Sequence, residues 1–305
     1  MLAYSLMKLM SRIACVQPTC FNDALAYALG QIGWLATPKW RRYMAKENVK
    51  ECLGVSETEA ERIAKESVTR FGRMLIEVLR YPLINQANFR NLVHFEGLEH
   101  LEEAYAEGRG VIMCTAHYGN WEMLGASMAL LGYPILSITR KQNDGDADRF
   151  INEYRQMVGQ HVTYNHGKSS MLSIGRYLKD KHLVGILYDQ DSAHTGEHLD
   201  LFGKPARVPD GAAQLARVFK APIVPLFMHN QPDGTLTAVI HPCFHADPQL
   251  SREENSHVIM EKLIRIAEEE IRRDPAMWFW VHDRWKDGKR RYRDRKHFST
   301  PMTGN

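Results

Sequence analysis

From residue 92 onward the chain alternates short apolar runs with helix-length stretches, and that alternation confines it to a small set of folds. The runs fall near 92–96, 110–115, 134–138, 183–188, 222–228 and 235–240. The helical patterns fall near 98–106, 120–131, 144–159, 169–180 and 210–219, with a long one at 252–273 that turns Ile259, Leu263, Ile266 and Ile271 inward. The run Gly110-Val111-Ile112-Met113-Cys114-Thr115 shows no polar alternation, so a strand made from it needs cover on both faces. Strands that alternate with helices build a mostly parallel sheet between helical layers. The expected fold is α/β: a mixed, mostly parallel central sheet flanked by helices on both faces, with an N-terminal helical cap.

The cap occupies the first 90 residues. Leu2, Leu6, Leu9, Ile13 and Val16 form a helical stripe, with Ser5, Lys8 and Arg12 off it, and Pro18 ends the pattern. Residues 24–36 are almost wholly apolar but number 13, against about 20 needed to cross a bilayer. Pro38-Lys39-Trp40-Arg41-Arg42 follows at once, which predicts a helix lying at a membrane interface, with Trp40 at headgroup depth and the arginines on phosphates. Ser56-Glu57-Thr58-Glu59 reads as a capping box. It opens a helix that carries Ala64, Val68, Phe71, Leu75 and Val78 on one face, up to Pro82. There is neither a basic start nor a small-residue cleavage site after a clear apolar core, so no signal peptide is expected. No internal repeat or disordered linker separates the parts. The expected organisation is a membrane-associating helical region over 1–90 and an α/β core over 91–305, together one structural domain.

Composition excludes several classes. Five cysteines without a C-x-x-C pair give neither a disulfide framework nor a zinc pattern, and point to a reduced, cytosol-facing protein. His194-x-x-x-His198 has metal-ligand spacing but no third ligand nearby, so neither a metal nor a cofactor is expected. Net charge is only +3, yet Arg284, Lys286, Lys289, Arg290, Arg291, Arg293, Arg295 and Lys296 gather near the C-terminus against Asp287 and Asp294. Such a cluster is either a solvated tail or a patch for anionic lipid headgroups, an acidic carrier protein or nucleic acid.

The densest chemistry lies in Thr115-Ala116-His117-Tyr118-Gly119-Asn120-Trp121-Glu122, where a strand gives way to a helix that Asn120 can cap. Within one continuous helix, His117 and Glu122 would sit about 140° apart and could not easily touch. With His117 on the loop, the chain can fold it back toward the first helical turn. A neutral imidazole held by a carboxylate is a general base. No Ser or Cys adjoins the pair, so the base points at a substrate hydroxyl. On spacing alone, an ordinary loop histidine and a dipole-favoured first-turn carboxylate would look the same. Tyr188-Asp189-Gln190-Asp191 places two carboxylates at another strand end, where α/β sites form. Arg140, Arg149 and Arg155 offer clamps for a phosphate or an oxyanion.

These blocks resemble the bacterial lipid A late acyltransferases of the lysophospholipid acyltransferase superfamily. The likeness runs through His117-x4-Glu122, Tyr188-Asp189-Gln190-Asp191, Leu201-Phe202-Gly203-Lys204-Pro205 with Pro209-x-Gly211, Ala221-Pro222-Ile223-Val224-Pro225, and Trp278-x-Trp280-x-His282-x-Arg284-Trp285-Lys286, in family order. The resemblance implies transfer of a fatty acyl group from an acyl carrier protein thioester, or from acyl-CoA, to a hydroxyl of a lipid A precursor. It implies work at the cytoplasmic face of the inner membrane, reached through the N-terminal helices, with no nucleic acid partner. His117 is then the base, Glu122 its orienting carboxylate, and Arg155 and Asp189 supporting residues, with Arg149 and Asp191 as the alternatives. Asn120, Arg140, Arg149, Asp191 and Gly203 are expected around the substrate. Family members usually begin with a single membrane-spanning helix, and here the apolar segments are short and broken by Pro18. A phosphatidylinositol mannoside or an acylglycerol phosphate as acceptor, a thioesterase, and a lipid-binding protein without turnover are the competing readings.

Overall fold

The computed structural model describes residues 2–165, 167–191 and 196–286. Four helices come first: α1 (Leu2–Val16), α2 (Thr19–Ala36), α3 (Lys39–Leu53) and α4 (Glu57–Leu79). Pro18 and Pro38 occupy the N-caps of α2 and α3, where a missing N–H costs nothing and the preceding helix must stop. Ser56 caps α4 by accepting from the Glu59 amide at 3.2 Å, but only half of the expected box forms, because the Glu59 carboxylate turns to Arg62. On α4 the structure buries Ala64, Val68 and Val78 and leaves Leu75 exposed, shifting the inward face toward Ala60, Ile63 and Ile76.

The rest alternates strands and helices: β1 (Val93–Glu96), α5 (Leu98–Ala106), β2 (Val111–Thr115), α6 (Trp121–Leu130), β3 (Ile135–Thr139), α7 (Gly145–Met157), β4 (Gln160–Tyr164), α8 (Lys168–Lys179) and β5 (Leu183–Leu187). A hairpin, β6 (Glu197–Leu201) and β7 (Lys204–Val208), precedes α9 (Gly211–Phe219), β8 (Ile223–Asn230), β9 (Leu236–Ile240) and α10 (Arg252–Arg273). Seven strands form the sheet in the order β1-β9-β8-β2-β5-β3-β4. Every neighbouring pair is parallel except β8 with β9. The α/β architecture is as the sequence predicts. Strands β4, β6 and β7 escape the apolar-run criterion because β4 is a half-buried edge strand and the hairpin alternates polar with apolar residues.

Successive residues of a strand face opposite sides, and two hydrophobic cores result. Ile112, Cys114, Val184 and Ile223 join α3, α4, α9 and α10 on one side. Val111, Met113, Leu183 and Val224 join α5, α6 and α7 on the other. β2 is buried along its whole length, as its unbroken apolar run requires. Each fully buried Val, Ile or Leu here contributes on the order of 1.5–3 kcal/mol.

The outer surface of the N-terminal helices is apolar. Leu2, Leu6, Leu9, Ile13 and Val16 on α1, and Phe21, Tyr27, Ile32 and Leu35 on α2, are all exposed. The polar side of α1 faces inward. Tyr4 Oη donates to Glu153 on α7, Lys8 Nζ donates to the same carboxylate at 2.9 Å, and Ser11 donates to the Leu79 carbonyl at 2.6 Å. Among the described residues no helix is long and apolar enough to cross a membrane.

Candidate active site

β2 and β5 lie side by side and in register, Thr115 opposite Leu187. Two residues beyond each partner the chain reaches His117 and Asp189, so neighbouring strands of equal overhang bring an imidazole and a carboxylate together at the carboxyl edge of the sheet. His117 Nδ1 donates to Asp189 Oδ1 at 2.7 Å, and the His117 backbone amide donates to Asp189 Oδ2 at 3.0 Å. The Trp278 indole also donates to Oδ2, at 2.8 Å. Burial alone would raise the Asp189 pKa, but these partners bring it well below the usual carboxylate range. Among the described residues Nδ1 meets a carboxylate, which accepts and cannot donate, so in the neutral tautomer that this contact favours, the lone pair lies at Nε2. The Gln190 amide lies 3.1 Å from that Nε2.

This corrects the expected His117–Glu122 pair. Trp121 faces the imidazole, ring centroids 5.0 Å apart. The next helical residue is rotated by about 100°, which turns Glu122 toward α7. There Arg155 grips it through two bonds, Nε to Oε2 at 2.8 Å and Nη2 to Oε1 at 2.6 Å, and both side chains are buried. Burial by itself would lower the Arg155 pKa, yet the Glu122 charge and hydrogen bonds hold it above the ordinary value. The bridge ties α6 to α7 directly behind the loop that carries His117. Glu122 thus contacts Arg155, and Asp189 is the carboxylate in contact with the imidazole.

The loop is set by its neighbours. Asn120 caps α6 by accepting from the Met123 amide at 2.8 Å and donates to Glu77 at 2.5 Å, so its task is structural. Gly119 adopts φ +56°, and a Cβ there would stand 1.8 Å from the Met228 carbonyl oxygen, which excludes every other residue. The segment after α10 crosses this loop, with the Gly119 amide bonded to the Met277 carbonyl and the Phe279 amide to the His117 carbonyl. It thereby delivers Trp278 to Asp189.

His117 opens into a cavity of about 230 Å³ walled by Phe71, Trp121, Trp278, Phe279, Trp280 and Trp285, with Asp189, Gln190, His282 and Arg284 as its other polar members. Among the described residues, none that lines it is Ser or Cys. Cys114 lies buried in β2 with its thiol pushed far up by desolvation, unfit as a nucleophile.

The other expected substrate residues fall elsewhere. Arg140 is exposed beyond β3, and Arg149 sits over the Tyr4 ring at 4.3 Å, packing α7 on α1. Asp191 forms an ion pair with Lys286. Gly203, with Phe202, makes the two-residue turn of the β6–β7 hairpin, both residues at positive φ, so its place is dictated by the turn. His198 receives a bond from Arg207 on the hairpin, while His194 and the basic residues from 289 onward lie outside the described residues. Arg284, read from sequence as part of a basic cluster that is either a solvated tail or a patch for an anionic partner, is buried. Gln190, Trp278 and Arg284 stand in the recognised blocks, yet only three-dimensional contact gives them a place in the site.

A family model of bacterial lipid A biosynthesis acyltransferases matches residues 10–287. The chain belongs to that family. It is an acyltransferase, and a lipid is its acceptor. The acyltransferase is 28% identical over 223 residues to a phosphatidylinositol mannoside acyltransferase of Mycobacterium tuberculosis, covering 66% of this chain and 70% of the relative. It is 26% identical over 262 residues to the lipid A biosynthesis palmitoleoyltransferase of Escherichia coli, covering 84% and 83%. A lipid A biosynthesis acyltransferase of Haemophilus influenzae is 24% identical over 272 residues, 87% and 81% of the two chains.

Proposed function

We propose that this acyltransferase moves a fatty acyl chain from an acyl carrier protein thioester to a hydroxyl of a lipid A precursor. The observation that carries the mechanism is the Asp189–His117 contact at 2.7 Å, which leaves a basic Nε2 at the mouth of an aromatic cavity. The acceptor hydroxyl displaces the Gln190 amide from Nε2 and gives up its proton there as its oxygen attacks the thioester carbonyl. Such general-base assistance contributes roughly 10²–10⁴ in rate. Direct attack needs no acyl-enzyme, in keeping with a cavity whose described lining holds neither Ser nor Cys. The buried Glu122–Arg155 bridge holds the loop and the first turn of α6 in place.

The exposed apolar residues of α1 and α2 rest on the lipid surface, in the manner of an interfacial helix pair, at the cytoplasmic face of the membrane that carries the acceptor. The 28% identity to a phosphatidylinositol mannoside acyltransferase supports a glycophospholipid as the second acceptor reading.

The test supplies acyl carrier protein thioester with and without lipid acceptor and follows products by mass spectrometry. Acylated lipid formed only with the acceptor, and lost in His117→Ala, is the expected result. Free acid released at equal rates in both arms would identify a thioesterase. Acylation of a phosphatidylinositol mannoside but not of a lipid A precursor would transfer the reading to the second acceptor.

A further inference from the structure

Two side chains on the cavity wall keep three buried donor nitrogens without an acceptor among the described residues. Arg284 is 1% exposed, and its Nη1 bonds the Arg207 backbone carbonyl at 2.9 Å, but its Nε and Nη2 find no acceptor among the described residues. Trp285, which follows it, likewise leaves its indole Nε1 buried and unmatched among them. Both residues line the cavity that contains His117 and Gln190. Asp189, whose charge acts on Arg284, is already committed at both oxygens, to His117 and to Trp278. A buried guanidinium with open donors is costly unless a ligand completes it. Burial already draws its pKa down to about 10.

Acyl transfer supplies such a ligand for the lifetime of one step. The acceptor O–H gives its proton to His117 Nε2, its oxygen bonds the thioester carbon, and the carbonyl π pair moves onto the carbonyl oxygen. On collapse that pair returns, the C–S bond breaks, and the leaving sulfur takes the proton back from Nε2. Protons and electrons balance with no further reagent. The oxygen that carries the transient charge sits inside an aromatic-walled cavity, where screening is weak and a fixed cation acts strongly.

We propose that Arg284, with the Trp285 indole beside it, holds the thioester oxygen that becomes anionic during acyl transfer. The assignment rests on the acyl-transfer reading above. Lys204 fixes the Trp285 ring from the other side, its ammonium 4.3 Å from the ring centroid. A phosphate group on either substrate is the rival oxyanion, and the two differ in kinetics. A permanent phosphate is gripped alike before and during reaction, whereas a developing oxyanion is gripped only in the transition state.

The experiment uses the full-length protein with carrier-protein thioester and lipid acceptor in vesicles, comparing wild type, Arg284→Gln and Arg284→Lys. The expected result is a kcat lowered by about 10²–10³ in Arg284→Gln, with a smaller loss in Arg284→Lys and each KM within about threefold of wild type. A KM raised with kcat intact overturns the assignment in favour of a phosphate site, and a kcat within threefold of wild type overturns it outright. If Arg284→Gln fails to melt cooperatively, Arg284→Lys decides, because it keeps the charge and a donor for the Arg207 carbonyl. A trifluoromethyl ketone donor analogue, whose hydrate mimics the adduct, should bind at least tenfold more weakly to Arg284→Lys than to wild type, while a thioether analogue without the carbonyl binds both equally. Equal binding of the ketone to both proteins counts against the proposal. A wild type that forms no acylated lipid refutes the acyl-transfer reading itself, while a working wild type matched by its Arg284 variants refutes only the arginine's part.

Discussion

Replacing Asp189 by Asn tests the site at its narrowest point. Among the described residues, Asp189 Oδ2 accepts from two donors, the His117 amide and the Trp278 indole, whereas Oδ1 accepts only from His117 Nδ1. An asparagine therefore keeps its oxygen at the Oδ2 position and turns its NH₂ toward Nδ1. That donor cannot coexist with a proton on Nδ1, so the imidazole proton moves to Nε2 and the base disappears from the side facing the acceptor. A histidine base fixed in the wrong tautomer loses about 10⁴ in kcat, or roughly 5 kcal/mol of transition-state stabilisation at 1.36 kcal/mol per tenfold. The shape of the side chain is conserved and two of its three donors remain satisfied, so folding should suffer far less than turnover. Thioester consumption under saturating acceptor, read beside a thermal melt, separates the two effects. A folded Asp189→Asn protein within tenfold of wild-type kcat would refute the role assigned to Asp189, most plainly if Glu122→Gln were then inactive at unchanged stability.

Four further outcomes follow from the same geometry. Glu122→Ala leaves the buried Arg155 unpaired and should lower stability by about 3–5 kcal/mol in chemical denaturation, and Glu122→Gln with Arg155→Met should restore much of it. Gly119→Ala forces a Cβ toward the Met228 carbonyl at positive φ, so a loss of at least about 3 kcal/mol is expected, seen as a lowered melting temperature or insoluble protein. His282 is partly buried, and desolvation pushes its pKa down to about 4, while in the unfolded chain it protonates near the ordinary 6.5. Unfolding therefore takes up a proton, stability falls as pH drops from about 6.5 to about 4 by up to roughly 3 kcal/mol, and His282→Asn should remove that part of the acid dependence in denaturant titrations across this window. Leu6→Glu with Ile13→Glu places charges on the exposed face of α1 and should reduce sedimentation with anionic vesicles at least tenfold while the melting temperature stays nearly constant.

The layered α/β fold was legible because its signal is local. An unbroken apolar run such as Val111–Thr115 can exist only as a doubly covered strand, and α10 begins and ends where its period and its Ser251 cap require. The hairpin β6–β7 was missed although Leu199, Leu201, Ala206 and Val208 alternate around a two-residue turn, since its strands are too polar for a run-based criterion. In the site, the sequence yields His117 and the three charged side chains Glu122, Arg155 and Asp189 but not their pairing. Glu122 is near His117 along the chain and turned from it in space, whereas Asp189 is 72 residues away and in contact. The missing information was strand order: only when β5 is known to pair with β2 at Thr115 and Leu187 do equal overhangs put the two together. Arg284 was hidden for a related reason, because a basic run reads as a solvated tail or an anion-binding surface until the segment after α10 is seen crossing the loop that carries His117.

On the mechanism proposed above, hanging His117 and Asp189 from neighbouring strands also makes catalysis a proofreader of folding. While the polypeptide is emerging, or whenever β5 detaches, the loop after β2 carries an imidazole with neither a fixed tautomer nor a pocket, and an energy-rich thioester that meets it is ignored. Under that mechanism the acyl donor is spent only by a molecule whose sheet has closed.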